Sequence, residues 1–161
     1  VTSSSPDGLE RLWTPWRMAY VSGPEKPVGC PFCEDFSGLL VARGELVYAV
    51  LNKFPYNPGH LLICPYRHIA DYTELFAEEA AELASFTQRA MTVIRKVSNA
   101  HGFNIGINQG SVAGAGIAGH LHQHIVPRWG GDSNFLPVVG GTKALPQLLD
   151  DTRDLLRDAW V

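Results

Sequence analysis

Gly119-His120-Leu121-His122-Gln123-His124-Ile125-Val126-Pro127-Arg128-Trp129 places three of the chain's six histidines at alternate positions within five residues. Leu121, Ile125 and Val126 give the segment strand character, and Pro127 is expected to end it. Side chains alternate faces along a strand, so His120, His122 and His124 should share one face, with Leu121 and Ile125 turned into a core on the other. Three imidazoles in register are poor packing material. Each ring carries two nitrogens that need partners and titrates near neutral pH. Three uses stay open: the solvated face of an amphipathic strand, a three-histidine metal site, or adjacent rings with separate jobs. Rings at i, i+2 and i+4 spread over about 13 Å at ~3.3 Å per residue, whereas one ion usually gathers its ligands from several segments. One nucleophile with flanking rings as acid and orienter suits the spacing better.

Working outward, 161 residues suit one domain with a sizeable core. Apolar content of 45% with 18% charged residues argues for a globular chain over a disordered one. The net charge is −3 with no basic run, so a nucleic-acid partner has no electrostatic support. No apolar run approaches a membrane span, and none reads as a signal peptide, although a start at Val1 in place of Met leaves the true beginning open. Three cysteines, an odd number, do not make a disulfide framework. Reduced thiols and a cytoplasmic location are expected.

Residues 1–9 are small, polar and turn-forming, and are expected to be a flexible terminus ahead of a single domain over 10–161. Residues 10–20 carry Trp13, Trp16 and Tyr20, an aromatic arm that should dock on its own domain or across a dimer. A loop over 22–29 leads to Gly29-Cys30-Pro31-Phe32-Cys33. Two thiolates at this spacing can grip one zinc, while a redox dithiol and two unconnected thiols are alternatives. A closed zinc site wants two more ligands from far along the chain, with His68 and His120 as the candidates.

Leu46–Leu51 and His60–Pro65 read as antiparallel strands joined across Pro55, Asn57, Pro58 and Gly59, with Cys64 as a small buried residue. Over 72–99 the period changes. Leu75, Phe76, Leu83, Phe86, Ala90, Val93, Ile94 and Val97 recur at three and four, which predicts a long amphipathic helix with Glu78, Glu79 and Glu82 among its outward positions. His101-Gly102 should end it. Phe103–Asn108 alternates as a strand beside the triad strand. Gly110, Gly114, Gly116 and Gly119 fall within ten residues, where backbone N–H groups can approach a phosphate closely. Gly130-Gly131 and Gly140-Gly141 flank a short segment, and Leu145–Trp160 has the spacing of a C-terminal amphipathic helix.

His-x-His-x-His followed by two apolar residues resembles the signature of the histidine triad (HIT) family of nucleotide hydrolases and transferases. Asn52…Pro58-Gly59-His60 and Asn108-Gln109-Gly110 with its glycine-rich run match further family segments, in family order, over roughly residues 40–130. Arg11–Met18 and Trp129–Phe135 are similar to the bacterial branch that includes diadenosine tetraphosphate phosphorylases. The resemblance implies an α+β fold: a five-stranded antiparallel sheet with one long helix and a C-terminal helix, paired as a homodimer. It implies cleavage of a dinucleoside polyphosphate through a covalent nucleotidyl-histidine on His122, with phosphate or water as acceptor. His124 would bind the α-phosphate and bridging oxygen, and the His120 carbonyl would fix the His122 tautomer. His60 would line the same pocket, and Asn52 would meet the ribose. Asn108, Gln109 and the loop amides around Gly114 and Gly116 would hold phosphates, with adenine against Leu46–Leu51. Zinc-bearing relatives imply a structural zinc on Cys30, Cys33, His68 and His120, and no organic cofactor. Ala115-Gly116 departs from the Gly-Gln or Ser common in this loop, so a side chain that assists the leaving group is missing. A non-catalytic nucleotide-binding module and a metal-dependent phosphoester hydrolase are the alternatives.

Overall fold

A computed structural model describes residues 2–4, 10–12, 29–33, 38–132 and 145–160. The aromatic arm over 13–20 and the 133–144 segment lie outside them. The stretch read as a turn-forming tail contributes β1 (Thr2–Ser4), which pairs antiparallel with β2 (Glu10–Leu12).

The main sheet holds β3 (Leu40–Arg43), β4 (Val47–Leu51), β5 (Leu61–Pro65), β6 (Gly102–Ile107) and β7 (Gln123–Arg128). Its order is β3-β4-β5-β7-β6, and every pairing is antiparallel. The expected α+β architecture is the one observed. β4 and β5 are buried at every position, which explains why both are continuous apolar runs.

Helix α1 (Ala77–Ser98) lays Leu83, Ala90, Val93 and Ile94 on one face of the sheet. Ile94 is 1% exposed, and truncating it to alanine should cost ~2–5 kcal/mol. Helix α2 (Leu149–Ala159) turns Thr152 and Leu156 inward against α1 and β3. Among the described residues, no helix is long and apolar enough to cross a membrane.

Three sequence expectations shift. α1 begins at Ala77, after a 3₁₀ turn over Tyr72–Glu74, so Phe76 leaves the apolar stripe and its ring lies 3.9 Å beneath the Arg67 guanidinium. α1 ends on Asn99, which takes the left-handed conformation (φ 51°), while Gly102 already begins β6. Glu79 and Glu82 do not face bulk water. Glu79 is buried against Arg67 (2.6 and 2.7 Å) and accepts from the Phe76 N–H. Glu82 accepts from the N–H groups of Glu45, Leu46 and Val47, closing the β3–β4 turn from the helix side. Periodicity marks both as polar but cannot show that backbone donors stand opposite.

The sheet aims the histidines. The Gln123 amide donates to Thr87 Oγ1 of α1 at 2.6 Å, so position 123 faces the helix layer. His124, the next residue, therefore projects from the open face. His124 pairs with Leu62 of β5 on one side and with Gly106 of β6 on the other. The ladder starts only at Gln123, so His120 and His122 precede the strand and are not part of it. Their arm is anchored by Leu121, whose N–H donates to the Ile69 carbonyl and whose side chain is buried with Ile125.

Candidate active site

The four residues proposed for zinc converge. A turn closed by Cys33 N–H donating to Cys30 O (2.9 Å) points both thiols at the histidine arm. His120 Nδ1 lies 3.4 Å from each Sγ, and His68 Nδ1 lies 3.2 Å from Cys33 Sγ. All four donor atoms fall within 4.8 Å of one another. A tetrahedral Cys₂His₂ zinc with bonds of about 2.0–2.3 Å needs S-to-N edges of roughly 3.5 Å. The hydrogen bond behind the ring agrees. His120 Nε2–H donates to the Pro65 carbonyl at 2.9 Å, which leaves Nδ1 as the lone-pair nitrogen facing the thiols. The donor set fits a structural zinc.

Two residues on, the tautomer is reversed. His122 Nδ1–H donates to the His120 carbonyl at 2.8 Å, so its Nε2 carries the lone pair. Burial pushes the His122 pKa below the usual imidazole range, which keeps the ring neutral near pH 7.

A second chain of hydrogen bonds sets His124. His60 is fully buried, and its Nδ1 accepts from the Tyr56 N–H at 3.1 Å. Burial, then the neighbouring rings of His124 and His122, lower its pKa to about 3, so the one proton of its neutral ring sits on Nε2. That N–H donates to His124 Nδ1 at 2.9 Å. His124, lowered to about 4 by burial and then by His122, must carry its own proton on Nε2. The site thus presents a lone pair on His122 beside an N–H donor on His124, the ring centroids 5.0 Å apart.

Both rings open on a cleft of about 140 Å³ that also touches Asn52, Asn108, Gly114 and Gly116. Asn52 is braced at both ends, its Oδ1 accepting from Phe54 N–H and its Nδ2 lying 3.4 Å from His60 Nδ1.

Other expected residues are placed differently. His60 stands behind His124 and does not line the cleft. Gln109 turns away, its Oε1 accepting from the Tyr72 N–H at 2.8 Å. Gly114 N–H donates to Ser111 O within the loop's own turn, and the Ala113 and Ala115 N–H groups both donate to Gly110 O. Of Leu46–Leu51, expected beside adenine, Val47–Leu51 is core strand buried at every position and Leu46 is exposed. Phe32, Phe54, Leu62 and Ile117 supply the apolar lining instead. Phe32 sits between the two thiols in sequence, and its ring reaches His122 at 5.0 Å between centroids. Sequence offered one cue, an aromatic ring held inside Cys-Pro-Phe-Cys.

Residues 37–131 match the HIT domain family. The chain is 53% identical over 169 residues to a protein named AP-4-A phosphorylase from Mycobacterium tuberculosis (strain ATCC 25618 / H37Rv), covering 96% of this chain and 86% of that one. Among solved structures, a Zn-bound histidine triad family protein from Mycobacterium smegmatis superposes with a TM-score of 0.67 at 31% identity, covering 81% of this chain and 92% of the other. A hypothetical histidine triad nucleotide-binding protein from Sulfolobus tokodaii strain7 superposes with a TM-score of 0.68 at 27% identity, over 81% and 91% of the two chains.

Proposed function

The chain belongs to the HIT domain family, and from that premise we propose that it is a nucleotidyltransferase that cleaves diadenosine tetraphosphate and related dinucleoside polyphosphates with inorganic phosphate as acceptor. One observation carries the reading: His122 holds an unprotonated Nε2 beside the cleft because its Nδ1–H is committed to the His120 carbonyl.

The chemistry follows from the two tautomers. His122 Nε2 attacks the α-phosphorus, forming an N–P bond as the bond from phosphorus to the bridging oxygen breaks. The electron pair stays on that oxygen, which departs on ATP. The cationic nucleotidyl-imidazole keeps Nδ1–H on the His120 carbonyl. His124 Nε2–H donates a hydrogen bond to the departing oxygen. A neutral imidazole is a weak acid, but a phosphate leaving group needs no full proton. An oxygen of phosphate then attacks the same phosphorus, releasing ADP and restoring the imidazole. Asn52 faces the ribose, and Asn108 with the amides from Gly116 onward holds phosphate oxygens. The choice of phosphate over water rests on the name of the 53%-identical relative.

Cys30, Cys33, His68 and His120 hold zinc, which when bound is structural and ties the thiol turn to the histidine arm. A Zn-bound relative at 31% identity supports this. His120 points its donor nitrogen at sulfur and away from the cleft, which counts against a catalytic metal shared by the three triad rings. A cytoplasmic location suits thiols that must stay reduced. A homodimer would use the free edge of β6.

Diadenosine tetraphosphate, incubated with and without phosphate, tests the proposal. ADP plus ATP in phosphate is expected. AMP plus ATP regardless of phosphate would replace the acceptor with water. Binding of AMP with no turnover by either route would leave a binding module and overturn the enzyme.

A further inference from the structure

The cleft around His122 measures about 140 Å³, below the ~300–1,000 Å³ usual for small-molecule sites. It cannot enclose a dinucleoside polyphosphate. A second groove of about 430 Å³ adjoins it on the open face of β6 and β7. The two share Tyr56, Asn108 and His124, so the His124 ring stands at their border. We propose that this groove is the subsite for the departing half of the substrate, a nucleoside with its share of the polyphosphate, and that Asn104 sets specificity there. The inference rests on the nucleotidyl transfer proposed above.

Displacement at phosphorus keeps the attacking and leaving atoms roughly in line. With His122 on one side of the α-phosphorus, the leaving oxygen lies on the other, where His124 donates to it. The chain beyond that oxygen must continue past His124, and the groove begins there.

The chemistry of its walls agrees. Asp132 grips Arg128 through two bonds, Nε to Oδ2 at 2.6 Å and Nη2 to Oδ1 at 2.9 Å. The third arm of Arg128, Nη1, donates to Asn104 Oδ1 at 2.8 Å. A guanidinium can only donate, so the amide oxygen faces it and the NH₂ end remains for an occupant. Among the described residues no carboxylate lines the groove, which suits a polyphosphate. Val126, on the same face as His124 and Asn104, adds apolar surface for a base. Beside His124, a Cβ added at Gly106 meets no atom within 4 Å, so the passage is open.

Two variants test this: Asn104→Ala removes the donor, and Gly106→Leu fills the passage. The readout is kcat/KM for diadenosine tetraphosphate divided by kcat/KM for adenosine 5′-phosphosulfate, whose departing half is a bare sulfate too short to reach Asn104. The ratio should fall about tenfold in Asn104→Ala and further in Gly106→Leu, and inhibition by ATP should weaken in both. A wild-type ratio in both variants would overturn the subsite. Wild-type protein that turns over neither compound would overturn nucleotidyl transfer and the subsite together.

Discussion

His120 and His122 are two residues apart in one extended arm, yet they hold opposite tautomers. His120 gives its Nε2 proton to the Pro65 carbonyl and keeps a lone pair on Nδ1 for the thiol side. His122 gives its Nδ1 proton to the His120 carbonyl and keeps a lone pair on Nε2 for the cleft side. The same side chain is suited to metal ligation in one place and to nucleophilic attack in the other because a carbonyl takes a different nitrogen's proton. The two neighbourhoods are joined, since one residue supplies a ring to the first and a carbonyl to the second.

The largest expected break in this comparison is His122→Ala. Loss of the nucleophile should lower turnover of diadenosine tetraphosphate by about 10⁴-fold or more, with unchanged circular dichroism and retained AMP binding. Turnover within tenfold of wild type would remove His122 from the chemistry.

Breaking the thiol side should act on stability first. Metal removal with a chelator should lower the melting temperature by about 10 °C, as expected when a bound ion contributes a few kcal/mol to a domain of this size. Activity should follow the folded fraction as metal is withdrawn. Immediate loss of activity in protein that is still folded would point to a catalytic ion.

His60 sharpens the cleft side. His60→Phe removes the N–H that fixes the His124 tautomer, and kcat should fall about 10–100-fold, as when a hydrogen-bond partner that orients a working imidazole is lost, while KM changes little. His60 and His124 also predict an acid limb in stability. Both are held near 3 and 4 in the folded protein, against 6.5 when unfolded. The unfolded chain therefore binds more protons between those limits. Stability should be level above about pH 7 and fall as pH drops from 6.5 toward 4, by up to ~1.4 kcal/mol per pH unit for each group. Denaturant melts in His60→Phe should show a shallower limb. An equal slope in wild type and variant would mean that His60 is already protonated in the fold.

The smallest effect is expected at Gln109, whose side chain faces Tyr72 and not the cleft. Gln109→Ala should leave kcat/KM within about threefold and cost roughly 0.5–1.5 kcal/mol of stability. A hundredfold loss of activity would bring Gln109 back to the phosphates.

Much of this was legible beforehand where the cause is local. Continuous apolar runs marked β4 and β5, alternation marked β6, the change to a period of three and four marked α1, and Cys-x-x-Cys marked half a metal site. What failed to read were partnerships. Glu79 and Glu82 have the periodicity of solvated positions, yet their carboxylates close a helix start and a hairpin turn. Adenine was expected against Leu46–Leu51, but the strand Val47–Leu51 is buried at every position, and the apolar residues that line the cleft are Phe32, Phe54, Leu62 and Ile117. A continuous apolar run is itself the pattern of a strand buried on both faces, but it does not say which distant side chains will line the cleft.

By itself the sequence determined the family, through which the antiparallel sheet and its two helices were expected, and it marked the candidate side chains, since motifs depend on residue type and spacing along one segment. Only the tertiary structure decided which nitrogen of each ring is free, which loop amides are spent within their own turn, and that His124 divides two cavities. Those depend on where a carbonyl or N–H from a distant segment comes to rest. His120 meets the Pro65 carbonyl and His60 meets the His124 ring across separations of 55 and 64 residues, and a hydrogen bond at such range exists only once the strands that carry its ends are paired.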